Sequence, residues 1–135
     1  MNAQERQLMV LVKNDDVGGA REMIENGDAG PNTRDEFGTA LLRFAAVNGS
    51  KDMVEMLMGK GAEVNASSEN NCTALTEAAL SGRTEVLQML LGYGADPYAK
   101  DDFGWTALAN ATISGSKESI ELLREAEKNG NREEE

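Results

Sequence analysis

Lys100–Ser116 reads KDDFGWTALANATISGS, and nearly the same pattern occurs earlier in the chain, where Arg34–Ser50 reads RDEFGTALLRFAAVNGS. A third copy lies midway between them, because Ser67–Arg83 reads SSENNCTALTEAALSGR. The copies begin at residues 34, 67 and 100, so the spacing is 33 residues each time. Three sets of identical residues share this spacing: Leu42, Leu75 and Leu108; Ala45, Ala78 and Ala111; Gly49, Gly82 and Gly115. A fixed period of this length is typical of proteins built from stacked repeats.

The middle copy predicts two short helices in each repeat. Thr73 is placed to cap a first helix, which carries small apolar residues at helical spacing and ends at Gly82. A second helix follows in RTEVLQMLLGYG (Arg83–Gly94), with Thr84 as its expected cap and glycines at its end. Two helices of about ten residues are not stable alone. Each repeat must therefore pack against its neighbours, and we expect the Ala-rich first helices to line the concave side of a curved stack.

These residues resemble the ankyrin repeat family, whose repeat opens with D-x-x-G-x-T-P-L-H-x-A-A-x-x-G and closes with L-L-x-x-G-A-x-x-N. The residues that match the opening in the last copy are Asp101, Gly104, Thr106, Leu108, Ala111 and Gly115. The close matches at Leu90, Leu91, Gly94 and Ala95, and again at Gly61, Ala62, Val64 and Asn65. The resemblance implies an all-α ankyrin-repeat solenoid of about four stacked helix-turn-helix units with β-turn or loop tips. It also implies protein–protein recognition without catalysis.

The sequence departs from the family pattern at several positions. The chain has no histidine, and Ala40 stands where the other copies have Thr73 and Thr106, which we interpret as a substitution in an unbroken register. Asn71 replaces the turn glycine and should adopt the same left-handed conformation.

The predicted domain covers residues 1–130, in units of about 1–34, 35–67, 68–100 and 101–130. The first unit is degenerate and polar at its start, as expected of a terminal cap, and both ends are expected to close the stack. The last helix should run to about Asn129. Residues 131–135 are expected to form an acidic, disordered tail.

Composition narrows the classes of partner and the setting. The net charge of −11 argues against nucleic acid or an anionic membrane surface as the main partner, although the charge could serve solubility alone. No apolar run approaches the length of a membrane span. Cys72 is the single cysteine, which excludes an internal disulfide and indicates a reducing, cytoplasmic setting. We expect a monomer.

The sequence contains few residues suited to catalysis or metal binding. Without histidine there is no Ser-His or Cys-His pair, and one cysteine leaves no zinc site. The DFG at Asp102–Gly104 lacks every companion motif of a kinase and belongs to the repeat turn. The pairs Asp15–Asp16 and Asp101–Asp102 are interpreted as solvated turn charges. We therefore expect no enzyme activity, metal or cofactor, although a redox role for Cys72 stays open as an alternative.

The candidate binding residues lie at the turn tips and on the concave helix face. Aromatic residues are scarce, yet three of them fall at tips, where exposed rings commonly anchor protein interfaces. For Phe37 and Phe103 an alternative is that the rings fold back onto neighbouring turns. The tip residues are Glu36, Phe37, Thr39, Glu69, Asn70, Cys72, Asp102, Phe103 and Trp105, and the helix-face residues are Val47, Leu80 and Ile113.

An acidic rim around apolar patches favours a protein partner with a basic rim. The protein would then be an adaptor or scaffold, or an inhibitor or immunity-type protein that masks a basic enzyme. A stress or redox accessory factor that uses Cys72 is the alternative of a different class.

Overall fold

The computed structural model describes the backbone of residues 1–134 and the side chains of residues 1–129. Within 1–134 the chain forms eight helices: α1 (Ala3–Lys13), α2 (Val17–Glu25), α3 (Leu41–Asn48), α4 (Lys51–Gly59), α5 (Ala74–Leu80), α6 (Thr84–Gly92), α7 (Ala107–Ser114) and α8 (Lys117–Glu134). No strand forms in that range, and an isolated antiparallel bridge joins Arg34 to Ala40. The all-α prediction is confirmed.

The helices are arranged in two rows that follow the order of the chain. In the first-helix row α1, α3, α5 and α7 pack each against the next, and in the second-helix row α2, α4, α6 and α8 do the same. Each odd-numbered helix also packs on the even-numbered helix that follows it. The result is the predicted stack of four helix pairs.

Buried residues recur along the chain at the 33-residue spacing of the sequence repeat. The alanines Ala45, Ala78 and Ala111 are fully buried in the first-helix row, and the leucines Leu57, Leu90 and Leu123 are fully buried in the second-helix row. Small side chains in the first row let neighbouring helices approach closely, while the second row supplies the larger apolar groups. Leu42 and Leu75 are buried, whereas Leu108 is partly exposed because α7 has no helix beyond it among the described residues.

The starts of the first helices confirm the interpretation of Ala40 as a substitution. Thr73 and Thr106 are the N-cap residues of α5 and α7, and their hydroxyls accept hydrogen bonds from the N–H groups of Thr76 and Ala109. Ala40 is the N-cap of α3 in the same register and makes no side-chain cap bond.

The cap predicted at Thr84 is wrong. Ser50 caps α4, but Arg83 occupies the equivalent N-cap position of α6 and makes no side-chain cap bond. Thr84 is the first helical residue of α6, and its hydroxyl lies 3.2 Å from that of Ser116 and 3.1 Å from that of Ser119. The hydroxyl therefore links the start of α6 to the start of α8 instead of capping α6.

The end of α8 also differs from the prediction. The helix continues to Glu134, beyond the expected end near Asn129. The acidic tail expected for residues 131–135 stays a prediction. Gly61 and Gly94 adopt left-handed conformations just after α4 and α6, whereas Glu127 stands in the equivalent position of the last unit. Without a glycine there the chain lacks that stop signal. Glu135 lies outside the described residues.

Candidate functional site

The tips are compact turns organised by carboxylates. One oxygen of Asp35 accepts hydrogen bonds from the N–H groups of Phe37 and Thr39, both at 2.9 Å. Asp101 does the same for Phe103 and Trp105, both at 3.0 Å. In the middle tip Ser68 replaces the aspartate, and its hydroxyl bonds to the side chain of Asn70.

The turn residue of each tip is left-handed, with φ of 74° at Gly38, 59° at Asn71 and 77° at Gly104. The conformation expected for Asn71 is therefore confirmed.

Neighbouring tips are joined through their backbones. The carbonyl of Phe37 accepts a hydrogen bond from the N–H of Glu69 at 3.1 Å, and the carbonyl of Asn70 accepts one from the N–H of Asp102 at 3.2 Å. The amide of Asn71 also donates to a carboxylate oxygen of Asp102 at 2.8 Å. The three tips consequently form one continuous row along the edge of the stack.

The aromatic side chains at the tips point into solvent. Phe37 is 62% exposed and Phe103 is 81% exposed, so the alternative in which these rings fold back onto neighbouring turns is wrong. Trp105 is 44% exposed, and its ring centroid lies 5.7 Å from that of Phe103 with the planes tilted by 40°. The last tip thus presents a pair of rings in contact with each other rather than a single ring.

A second apolar feature runs along the first-helix row. Val47, Leu80 and Ile113 occupy the same position near the ends of α3, α5 and α7, and all three are exposed. We call this set the aliphatic ladder.

Between the tips and the aliphatic ladder lies a groove of about 560 Å³. Its apolar walls come from Leu80, Phe103, Trp105 and Ile113. A smaller hollow of about 310 Å³ lies beside Phe37 and Glu69, and Arg43 and Asn70 line both spaces. Leu80 and Ile113 of the helix face and the residues Asp102, Phe103 and Trp105 of the last tip therefore line one groove, whereas Glu36 and Val47 line neither space.

Arg43 and Glu77 are groove residues that the sequence analysis missed. The guanidinium of Arg43 bonds to the carboxylate of Glu77 at 3.1 Å and to the hydroxyl of Ser68 at 3.1 Å. Both residues are partly buried, so the pair fixes the centre of the groove. Helical spacing could have indicated Arg43, because it precedes Val47 by one turn and faces the same side.

Two predicted tip residues are not exposed. Thr39 is 7% exposed and Cys72 is 8% exposed, although both were expected at the tips. Each directly follows the left-handed turn residue and immediately precedes the N-cap of a first helix, where the chain returns into the stack. Trp105 occupies the same position in the last unit, which has no further unit beside it among the described residues, and is 44% exposed.

Burial raises the pKa of the Cys72 thiol, and the nearby Arg43 opposes this shift without reversing it. The raised pKa keeps the thiol protonated near neutral pH, which argues against a reactive thiolate.

The rim of the groove is acidic. Glu36, Glu69 and Asp102 are exposed, and none of them forms an ion pair with another described side chain. The described residues contain no group of three or more histidine, cysteine, aspartate or glutamate side chains that could hold a metal ion. Over 1–134, none of the helices is both long enough and apolar enough to cross a membrane.

Comparison with known proteins agrees with this architecture. Residues 8–101 match the family model described as ankyrin repeats, in three copies. Over 60 residues the chain is 42% identical to the E3 ubiquitin-protein ligase Ufd4 of Drosophila melanogaster, a match that covers 44% of this chain and 2% of the ligase. The chain thus corresponds to a very small part of that relative. Because the family model covers more than half of the sequence, the chain belongs to the ankyrin repeat family.

Proposed function

We propose that this protein is a non-catalytic interaction module that binds a protein partner through its tips and the exposed face of its first-helix row. Ankyrin repeats are generally protein-interaction modules. The observation that carries the proposal for this surface is the distribution of exposed apolar side chains. Among the described residues ten large apolar side chains are exposed, and six of them lie on this face: Phe37, Val47, Leu80, Phe103, Trp105 and Ile113.

The binding surface has an apolar centre and an acidic rim. Phe103 and Trp105 are the proposed anchors, because two adjacent aromatic rings offer a large contact area with few rotatable bonds. Glu36, Glu69 and Asp102 form the rim, together with Asn70, and favour a partner with a basic rim. Thr39 and Cys72 are left out of direct contact because they are buried.

An inhibitor that masks a basic enzyme would use the same surface, and the acidic rim together with the net charge of −11 supports that version. The redox alternative is less well supported, since Cys72 is buried and its pKa is raised. The cytoplasmic setting and the monomeric state stay predictions from the sequence.

A pair of variants tests the proposal. Phe103→Ala combined with Trp105→Ala removes the anchors, and Tyr93→Ala is the matched control. Tyr93 is 43% exposed, nearly as exposed as Trp105, but it follows the end of α6 in the second-helix row. Immobilised wild-type protein and both variants are incubated with an extract of the native host, and each retained protein is purified for titration calorimetry.

A partner of this surface should bind the double variant at least about tenfold more weakly and the control variant unchanged, since truncating an interface anchor costs about 2 kcal/mol or more. Equal dissociation constants for all three proteins would refute the proposal. Repeating the titration between about 50 and 500 mM salt separates charge-driven masking from apolar docking, because exposed charges are screened over this range.

A further inference from the structure

The aliphatic ladder has a fixed step, and this step restricts the conformation of any segment that lies along it. Val47, Leu80 and Ile113 are equivalent residues of three helices that pack directly against one another. Axes of packed helices lie roughly 8–10 Å apart. Successive ladder residues are therefore about 8–10 Å apart.

Regular peptide conformations match this step to different degrees. A β-strand rises about 6.6 Å for every second residue, and its residues three apart point to opposite faces. In an α-helix, residues three or four apart share a face at a rise of about 4.5–6 Å, and residues seven apart share it at about 10.5 Å, so neither spacing falls within the range. A polyproline II helix has three residues per turn and rises about 9.3 Å per turn. It alone places every third side chain on one face at the required step.

We propose that the aliphatic ladder binds a polyproline II segment of the partner, with an apolar side chain at every third position and a lysine or arginine beside them. This inference rests on the proposed function and specifies the partner for the same surface.

Two further observations support this occupant. The groove beside the ladder is walled by Phe103 and Trp105, and aromatic-lined grooves suit polyproline II segments. The charge is complementary to a basic segment, because Arg43 is paired with Glu77 while Glu69 and Asp102 are exposed on the tip side of the groove.

Trp105 is the single tryptophan of the chain and lines the groove, so its fluorescence reports occupancy directly. The probes are three synthetic peptides of about 15 residues, a length that accommodates three apolar residues spaced seven apart. The first alternates proline-rich spacers with an apolar residue at every third position and carries one arginine. The second has the same composition with apolar residues at every second position. The third is a helical peptide with apolar residues seven apart.

We expect the first peptide to shift the Trp105 emission saturably and to bind at least about tenfold more tightly than the other two. Leu80→Ser should weaken this binding about fivefold, because the half-exposed leucine loses its apolar contact. Tyr93→Ala should not change it. Neither substitution removes a buried side chain, so both variants should fold.

Equal binding of the first and second peptides, or tighter binding of the helical peptide, overturns the inference. If no peptide binds while the native partner still depends on Phe103 and Trp105, the polyproline II segment is wrong and the proposed function stands. If the first peptide binds as expected but the native partner binds the Phe103→Ala and Trp105→Ala double variant as tightly as the wild type, the proposed function is wrong and the peptide site stands.

Discussion

Replacing Ala40 by Thr should stabilise the protein, because Ala40 is the N-cap of α3 and makes no side-chain cap bond. Its backbone, with φ −79° and ψ 156°, resembles that of the capping Thr106, with φ −81° and ψ 173°. The equivalent Thr73 is only 4% exposed and keeps its cap bond, so a threonine is compatible with this position of the repeat.

The size of the effect follows from the partner of the new hydroxyl. An N-cap threonine contributes about 0.5–2 kcal/mol relative to alanine. Here the N–H of Arg43, which the hydroxyl would accept from, already donates to the carbonyl of Ala40 at 3.1 Å. The gain should therefore lie at the lower end, about 0.5–1 kcal/mol, which corresponds to a rise in Tm of about 2–4 °C for a chain of this length.

Urea unfolding followed by far-UV circular dichroism measures the change, provided that the slope of the transition is the same in both proteins. Ala40→Val is the matched control, because valine has the shape of threonine but no hydroxyl. The reverse substitution, Thr73→Val, removes an existing cap and leaves the buried Thr76 hydroxyl without its 3.0 Å partner, at a cost of about 1–3 kcal/mol. If Ala40→Thr and Ala40→Val shift the midpoint equally, the capping argument is refuted.

Two further predictions concern the middle tip. Asn71→Ala should lower the free energy of unfolding by about 1–2 kcal/mol more than Asn71→Gly in urea titrations, because φ is 59° and alanine is strained there; equal losses would contradict this. Burial raises the pKa of Cys72 above its ordinary value of 9.0, so the folded state holds this proton more tightly than the unfolded state. Its stabilising contribution is complete below that value and is lost as pH rises through the folded pKa. A pH series of urea midpoints should therefore fall more steeply above about pH 9 for the wild type than for Cys72→Ala, and superimposable curves would exclude the effect.

The fold could be predicted from the sequence because its determinants repeat. Burial in the alanine and leucine columns depends on helical spacing within a unit and on the 33-residue register between units, and both can be counted. The same register identifies Arg83, not Thr84, as the position equivalent to Ser50. The N-cap position of α6 could therefore have been predicted correctly from the sequence.

The site was less predictable because parts of it depend on contacts between units. Arg43 and Glu77 stand at different positions of their repeats, since the residue equivalent to Arg43 in the next unit is Thr76. Aligning the copies therefore does not reveal their ion pair. The burial of Cys72 likewise depends on the direction in which the chain leaves Asn71 and on packing against a neighbouring unit. The residues around Cys72 in the sequence predict neither of these.

The tips combine exposed rings with a fixed backbone, and this combination determines how the surface can bind. An exposed phenylalanine on a flexible loop would lose conformational freedom on binding and weaken the complex. Here the carboxylates of Asp35 and Asp101 hold the loops around Phe37 and Phe103, and backbone bonds tie each tip to the next. The loops therefore lose their conformational entropy during folding and not when the partner binds. Because Asn70 interrupts the aromatic positions, a partner encounters two separate apolar sites two repeats apart: Phe37, and the pair of anchors Phe103 and Trp105. An extended segment of fixed conformation can span this distance and contact both sites. A single side chain on the surface of a globular partner can contact only one of them.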